Sequence, residues 1–267
     1  MKYCLPFYVG MKYLKTVDEI TIKYKNSHDA LIDFLKEHSH QRIIIDMKDI
    51  VLEEKLIKFF GDLTKVTEVN FALKLSYKKN KENIEKIKGS EVNFFFSEYC
   101  IDWSGLTAFL NLGVSDVYIV NDLGFEIIKV AEVAHRQGVN IRVFPNVAQA
   151  SVNDKNTEIT RFFIRPEDIE TYEPCVDVCE IFGSEKNAEV YYEIYHKDKK
   201  WGMFLKIVIA NFEEDILNPF IKDTFALRRL NCGKKCLKGG NCKSCFNALH
   251  IAKTLDKVRK ANIKKLN

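Results

Sequence analysis

The chain has 267 residues, of which 46% are hydrophobic and 29% charged, and its formal net charge is +4 at pH 7. That length is enough for one large α/β domain with a substantial core, and the composition is an ordinary soluble balance. The charge is too small to demand a nucleic-acid partner by itself, and no run approaches the roughly 20 apolar residues that cross a bilayer.

The N-terminal segment predicts the cellular compartment. Residues 1–7 contain no apolar stretch before a small-residue cleavage site, so no signal peptide is predicted. We therefore expect a reducing, cytoplasmic location and no membrane partner. In that compartment clustered cysteines usually bind metal rather than form disulfides.

Short apolar runs rich in Val, Ile and Phe alternate with amphipathic stretches, a pattern typical of parallel sheets built from βα units. The predicted strands, in chain order, are Asp18–Tyr24, Arg42–Asp46, Val69–Ser76, Val92–Glu98, Asp116–Asn121, Asn140–Asn146, Arg161–Arg165 and Val176–Phe182. The predicted helices between them are Asp29–Glu37, Glu54–Leu63, Lys81–Lys88, Ser104–Leu112, Glu126–Arg136 and Pro166–Tyr172.

Strand units in this number and order predict an α/β fold of the (β/α)8, TIM-like barrel type. A doubly wound open sheet is the alternative, because periodicity alone cannot show closure. No glycine-rich fingerprint follows any early strand, and this favours the barrel. The chain beyond it predicts an extra strand at Tyr191–His196 and helices at Phe204–Asn211 and about Phe246–Lys260. We therefore expect a barrel over residues 1–200 and a C-terminal extension over residues 201–267 packed on it.

Catalytic groups of a parallel barrel lie where its strands end and in the loops that follow. That rule selects Asp46, Lys48, Lys74, Ser76, Ser97, Glu98, Cys100, Asn121, Asp122, Asn146, Gln149, Arg165, Glu167 and Asp168. Any single one is more readily explained by capping of the next helix or by solvation. As a set they predict a site at one mouth of the barrel, which Glu98 would line.

Two strand ends carry side chains suited to a polar ligand. Asn146 and Gln149 supply amides that can read a polar planar group by paired hydrogen bonds. Arg165 suits a carboxylate or phosphate, although an internal ion pair with Glu167 or Asp168 is an equal alternative. The candidate catalytic residues are therefore Arg165, Glu98, Asn146 and Gln149.

Four cysteines near the C-terminus, Cys232, Cys236, Cys242 and Cys245, have the spacing C-x3-C-x5-C-x2-C. Four thiolates on so short a loop repel one another unless a cation holds them, and the surrounding lysines and arginines offset their charge. Two disulfides or four free thiols are the alternatives. Zinc would be tetrahedral and structural there. A [4Fe–4S] cluster tolerates closely spaced ligands, so the compact spacing slightly favours the cluster.

The remaining cysteines and histidines form no recognisable catalytic motif. Cys175 and Cys179 are expected to pack in the core, with a second metal site including Cys100 as the alternative. No Ser-His-Asp or Cys-His arrangement can be assembled from local motifs, so proteolysis ranks last among the functions considered.

Three segments resemble the peptidase U32 family: residues 112–119, 141–146 and 162–169. The resemblance covers about residues 90 to 250. It implies a TIM-barrel-like domain with cysteines that can hold a [4Fe–4S] cluster. Some relatives act in hydroxylation of RNA bases or of a quinone precursor rather than in peptide cleavage. Cluster ligands in the family are spread along the barrel, whereas here the four cysteines form one local knot.

These observations lead to two hypotheses of different class. The first is an enzyme that modifies RNA or a small anionic aromatic substrate with help from a cysteine-bound cluster. The second is a non-catalytic module whose metal knot and basic C-terminal helix dock RNA or a protein partner, although a solvated helix face also explains that basic charge.

Overall fold

A computed structural model of the protein describes residues 1–66, 69–100, 102–119, 126–145, 164, 169–181, 185–198, 251, 254, 255, 257 and 258. Its strands are β1 (Lys2–Pro6), β2 (Glu19–Lys23), β3 (Arg42–Asp46), β4 (Phe71–Leu75), β5 (Phe94–Cys100), β6 (Asp116–Ile119), β7 (Asn140–Val143) and β8 (Val178–Glu180). Each strand pairs in parallel with the next, and β8 pairs with β1. The sheet is therefore a closed barrel, as predicted.

Helices follow most of the strands. They are α1 (His28–Glu37), α2 (Glu54–Val66), α3 (Tyr77–Asn80), a 3₁₀ turn (Lys81–Asn83), α4 (Ile84–Gly89), α5 (Trp103–Asn111), α6 (Glu126–Arg136), α7 (Ile169–Tyr172), α8 (Glu185–Glu193) and a π-helical turn (Ile194–Asp198). The described residues near the C-terminus are also helical, which agrees with the helix predicted there. The architecture is that of a (β/α)8, TIM-like barrel.

The strands are buried on both faces, because the helices cover the outside and side chains fill the inside. All five residues of β4 are buried, and Ile43, Ile44 and Ile45 of β3 have no exposed surface. A glycine with positive φ follows each of α5 and α6, where the chain turns towards the next strand. The φ angle is 73° at Gly113 and 70° at Gly138. A side chain would be strained at these two positions.

The described strands differ from the predicted ones in two places. The barrel begins with Lys2–Pro6, which was not predicted as a strand. The predicted strand Arg161–Arg165 falls almost entirely outside the described residues, and β7 pairs directly with β8 in the closed barrel. Ile164, its one described residue, is in no strand, and its amide donates to the carbonyl of Pro145 at 3.1 Å.

The extra strand predicted at Tyr191–His196 is wrong, because the end of α8 and the π-helical turn occupy that stretch. Its aromatic residues favour strands intrinsically. Ala188, Tyr191, Tyr192 and Tyr195, however, are buried at the spacing of one helix face, and Ile194 beside them is buried as well. Packing along that face outweighs the local preference.

The chain divides into two compact units. The first comprises Met1–Val120, Ile128–Phe144 and Glu173–Glu189, and it contains every strand of the barrel. The second comprises Asn121–Ile127, Pro145–Tyr172 and Val190–Asn267. The expected boundary at residue 200 stays a prediction. Across the described residues, no helix has the length and apolar character that crossing a bilayer requires.

Candidate active site inside the barrel

Charged side chains inside the described barrel form two layers. The layer near the amino ends of the strands, here called the amino-end network, consists of Glu19, Arg42, Asp116 and Arg142. The layer near the carboxyl ends, here called the carboxyl-end cluster, consists of Lys74, Glu180 and the rings of Tyr99, Tyr118 and Phe144. All of these residues belong to the first compact unit.

The amino-end network is a charge-balanced core. Arg42 donates to both carboxylate oxygens of Asp116, at 2.8 and 2.6 Å. Arg142, which has no exposed surface, donates to Asp116 at 3.0 Å and to Glu19 at 2.6 Å. Burial opposes ionisation of Asp116, but Arg142 and Arg42 outweigh it and hold the pKa of that carboxyl at about 2. Asp116 is therefore a carboxylate at neutral pH.

The carboxyl-end cluster is built around the Glu180 carboxylate. Lys74 Nζ donates to Glu180 Oε1 at 2.8 Å, and the Tyr118 hydroxyl donates to Oε2. Arg142 Nε lies 3.5 Å from Oε2 without a hydrogen bond, which connects the two layers electrostatically. Burial favours the neutral acid, but Lys74 and Arg142 outweigh it and keep the pKa of Glu180 below its usual value. Glu180 is therefore a carboxylate at neutral pH.

Two aromatic rings lie beside the Lys74 amine. Lys74 Nζ lies 4.9 Å from the ring centroid of Tyr118 and 5.2 Å from that of Phe144. Those two rings are stacked, with centroids 4.9 Å apart, and Tyr99 contacts both. Burial, with the Glu180 charge, raises the pKa of the Tyr99 and Tyr118 phenols, so both remain protonated donors.

The position of this cluster in the strands agrees with the barrel rule. Lys74 is the next-to-last residue of β4, Glu180 is the last of β8, and Phe144 directly follows β7. Lys74 is 6% exposed and Glu180 is 5% exposed, whereas Arg142 has no exposed surface. The cluster therefore combines a cation, a carboxylate and aromatic faces at the end of the barrel where catalysis occurs in this fold.

Glu98 caps a helix rather than joining this cluster. Its carboxylate accepts from the Ser76 hydroxyl at 2.7 Å and from the Tyr77 amide at 2.9 Å, at the start of α3. This is the capping alternative that the sequence left open, and a catalytic role for Glu98 stays a prediction. The other predicted site residues lie outside the described residues: Arg165, Asn146, Gln149, Cys232, Cys236, Cys242 and Cys245.

The described cysteines are interior residues, as expected for Cys175 and Cys179. Cys4, Cys100, Cys175 and Cys179 are free and buried. Burial raises the pKa of the Cys100 thiol to about 12, and it also raises those of Cys4 and Cys179. Protonated thiols are poor ligands and poor nucleophiles. Within the described ranges no group of three or more His, Cys, Asp or Glu side chains is placed to hold a metal.

Sequence reasoning selected Lys74 by its place at a strand end but missed Glu180 and Tyr118. The signal that could have identified Glu180 is its charge at the end of the otherwise apolar strand Val178–Glu180. An ionised residue on an inward position of a buried strand requires a partner, and only the barrel closure shows which strand supplies it.

Comparisons with known proteins add little to this description. No family model matches the sequence, and no curated protein matches it. A glycerol uptake operon antiterminator-related protein from Thermotoga maritima, of solved structure, is similar at 14% sequence identity. The match covers 70% of this chain and 98% of that chain with a TM-score of 0.39. The barrel itself is established by the strand pairing of this chain.

Proposed function

We propose that this TIM-barrel protein is an enzyme that modifies a small anionic aromatic substrate at the carboxyl-end cluster. The observation that carries the proposal is the Lys74 ammonium, which lies beside the stacked rings of Tyr118 and Phe144 at 4.9 and 5.2 Å from their centroids. A lysine ammonium has three donors, and in the described part of the chain Glu180 is the side chain that accepts from it. The remaining donors suit a ligand carboxylate, while the ring faces suit an aromatic group.

Binding of three matched ligands tests the proposal. Isothermal titration calorimetry should show binding of para-methylbenzoate, weaker binding of cyclohexanecarboxylate, which lacks the ring, and weaker binding of para-methylbenzamide, which lacks the charge. Stacking in such a site contributes on the order of 1 kcal/mol, so the loss of the aromatic ring should weaken binding several-fold. Equal affinities for all three ligands, or binding of none, would refute the proposal.

Variants locate the binding. Phe144→Leu removes a ring beside Lys74 and should weaken para-methylbenzoate binding. Phe109→Leu is the matched control, because Phe109 is a half-buried phenylalanine of α5 that packs against Phe96 and Tyr77. The control should leave the affinity unchanged. Equal losses in both variants would indicate a general packing effect rather than a site.

A metal centre at Cys232, Cys236, Cys242 and Cys245 is the second part of the proposal. Four cysteines are a donor set that both a [4Fe–4S] cluster and zinc accept, and the resemblance to the peptidase U32 family favours the cluster. A cluster would transfer electrons in a redox reaction such as hydroxylation, whereas zinc would only hold the loop. Metal analysis after anaerobic purification tests this: stoichiometric iron with a brown colour supports the cluster, zinc supports the structural knot, and neither metal refutes both.

The RNA substrate suggested by the same resemblance has its own test. Retention of RNA by the purified chain, reversed as salt rises, would support a phosphate-contacting role for the basic C-terminal residues. Binding of para-methylbenzoate without any RNA retention would favour the small-molecule substrate.

A further inference from the structure

Three side chains of the carboxyl-end cluster form a linear chain of hydrogen bonds. The Lys74 amine contacts one oxygen of Glu180, and the other oxygen accepts from the Tyr118 hydroxyl. A nucleophile within hydrogen-bond reach of a base, with a third group orienting that base, is the arrangement that activates a nucleophile. The arrangement is thus equipped for chemistry on a substrate and not only for binding one.

The Lys74–Glu180 pair is not needed to balance the interior. Arg42 and Arg142 already neutralise Glu19 and Asp116 in the amino-end network. A second buried pair contributes little net stability, because removing both charges from water costs about as much as their attraction returns. The pair also lies at the carboxyl ends of the strands, where the catalytic groups of this fold occur. Both facts favour a chemical role.

The thiols of the same barrel are not competing nucleophiles. Cys4 lies inside the barrel with its Sγ 3.2 Å from the Thr21 hydroxyl, and burial raises the pKa of its thiol. It has no exposed surface, whereas Lys74 keeps 6%. The amine of Lys74 is therefore the nucleophilic atom that a substrate in this cluster would meet.

We propose that Lys74 forms an imine with the carbonyl carbon of an aromatic aldehyde or ketone, and that Glu180 moves the protons of that step. This deepens the proposed function and rests on it, since the same aromatic faces would hold the substrate. Tyr118 is a positioning residue that keeps the Glu180 carboxylate directed at the amine.

The step is balanced within the cluster and the substrate. The Lys74 ammonium passes one proton to Glu180, and the nitrogen lone pair then attacks the carbonyl carbon while the carbonyl π pair moves to oxygen. A proton moves from nitrogen to that oxygen and gives a carbinolamine. Glu180 returns its proton to the hydroxyl, which leaves as water as the carbon–nitrogen double bond forms. The products are a protonated imine, one water molecule and the original carboxylate.

Trapping by reduction tests the proposal. The full chain is incubated with cyanoborohydride and para-methylbenzaldehyde, whose carbonyl takes the place of the para-methylbenzoate carboxylate beside Lys74. Cyanoborohydride reduces an imine to a stable secondary amine, and the modified lysines are located by peptide mass spectrometry. Each adduct adds the mass of the aldehyde less one oxygen atom. Because Glu180 and the rings position the reaction, we expect Lys74 to be modified about tenfold faster than the surface residue Lys88. The non-carbonyl analogue para-methylbenzoate should protect Lys74 and leave Lys88 unaffected.

Three variants separate the roles. Lys74→Arg keeps a cation opposite Glu180 but cannot form the imine, so it should lose the fast adduct. Glu180→Gln should slow the modification of Lys74 relative to that of Lys88. Tyr118→Phe leaves the base in place but unoriented, so it should change the pH profile of the modification rate. Circular dichroism confirms that each variant folds, and Lys74→Arg is decisive alone if the others do not.

The outcomes distinguish this inference from the proposed function. Fast modification of Lys74 that the analogue prevents supports both. Binding of para-methylbenzoate with Lys74 modified no faster than Lys88 overturns the imine and leaves the proposed function standing. Neither binding nor a fast adduct overturns both.

Discussion

Replacing Arg142 by methionine removes the cation that joins both layers of the barrel interior. Its guanidinium donates to Glu19 at 2.6 Å and to Asp116 at 3.0 Å, and its Nε lies 3.5 Å from Glu180. Methionine has no charge and matches the aliphatic part of the arginine side chain, so the change removes the ion pairs and keeps the packing of that part. The variant leaves three buried carboxylates with two cations.

The expected loss of stability follows from the partners that remain. Breaking a buried ion pair by removing one partner costs about 3–5 kcal/mol, because the other charge stays buried. Here Asp116 and Glu19 keep Arg42, at 2.6 and 3.4 Å, and Glu180 keeps Lys74 at 2.8 Å. These contacts place the expected loss near the lower end of that range, at about 3 kcal/mol.

Urea unfolding followed by circular dichroism measures that loss. The free energy of unfolding at pH 7 should fall by about 3 kcal/mol in Arg142→Met, out of a total that is about 5–15 kcal/mol for a domain. Lys88→Met is the matched control, since its ion pair with Glu85 is on the surface, and such a pair contributes about 0–1 kcal/mol.

The pH dependence of the loss is a second readout. The pKa of Asp116 in the folded chain is about 2, below the ordinary value of 3.8. Its contribution to stability is therefore complete above pH 3.8 and is lost as pH falls towards 2. Without Arg142 this carboxyl takes up its proton at higher pH, which relieves the uncompensated charge. The difference between the wild type and the variant should therefore shrink as pH falls from 6 to about 4. A loss under about 1 kcal/mol at pH 7, or a difference that grows on acidification, would refute the reasoning.

Further predictions concern caps and thiols. Glu98→Ala should lower the free energy of unfolding by about 1 kcal/mol, because α3 loses its acceptor, and Glu98→Gln should lose less; equal losses in urea unfolding would contradict the capping role. Asp102→Ala should cost about 1 kcal/mol as well, since Asp102 accepts from the Gly105 amide at 2.8 Å, and an unchanged urea midpoint would argue against that cap. Cys4, Cys100 and Cys179 should stay unreactive towards a disulfide reagent until urea unfolds the barrel, and fast labelling of the native chain would contradict their burial. Removal of metal by a chelator should expose the C-terminal thiols to the same reagent, so labelling that does not change on chelation would contradict the proposed centre.

The barrel was predictable where a strand is an uninterrupted apolar run. Arg42–Asp46 has the predicted bounds, and Phe71–Leu75 lies inside its prediction. Lys2–Pro6 was missed because it is short, begins with an exposed lysine and ends in a proline, which cannot donate to a ladder. It is a strand because β2 and β8 flank it on both sides.

The candidate site could be predicted only in part. The rule that catalytic groups lie at strand ends selects Lys74, but nothing local shows that its partner is Glu180, 106 residues away. Arg142 and Glu19 are 123 residues apart, and the closure of the sheet brings them together. Such pairs follow from barrel register, which a single sequence does not specify.

A crystal structure of the full chain with para-methylbenzoate is the most direct test of a substrate site at the carboxyl-end cluster. The account predicts the ligand ring against Phe144 and Tyr99, with its carboxylate within hydrogen-bond distance of Lys74 Nζ. Ligand bound only outside the barrel, with the Lys74–Glu180 pair undisturbed, would contradict it.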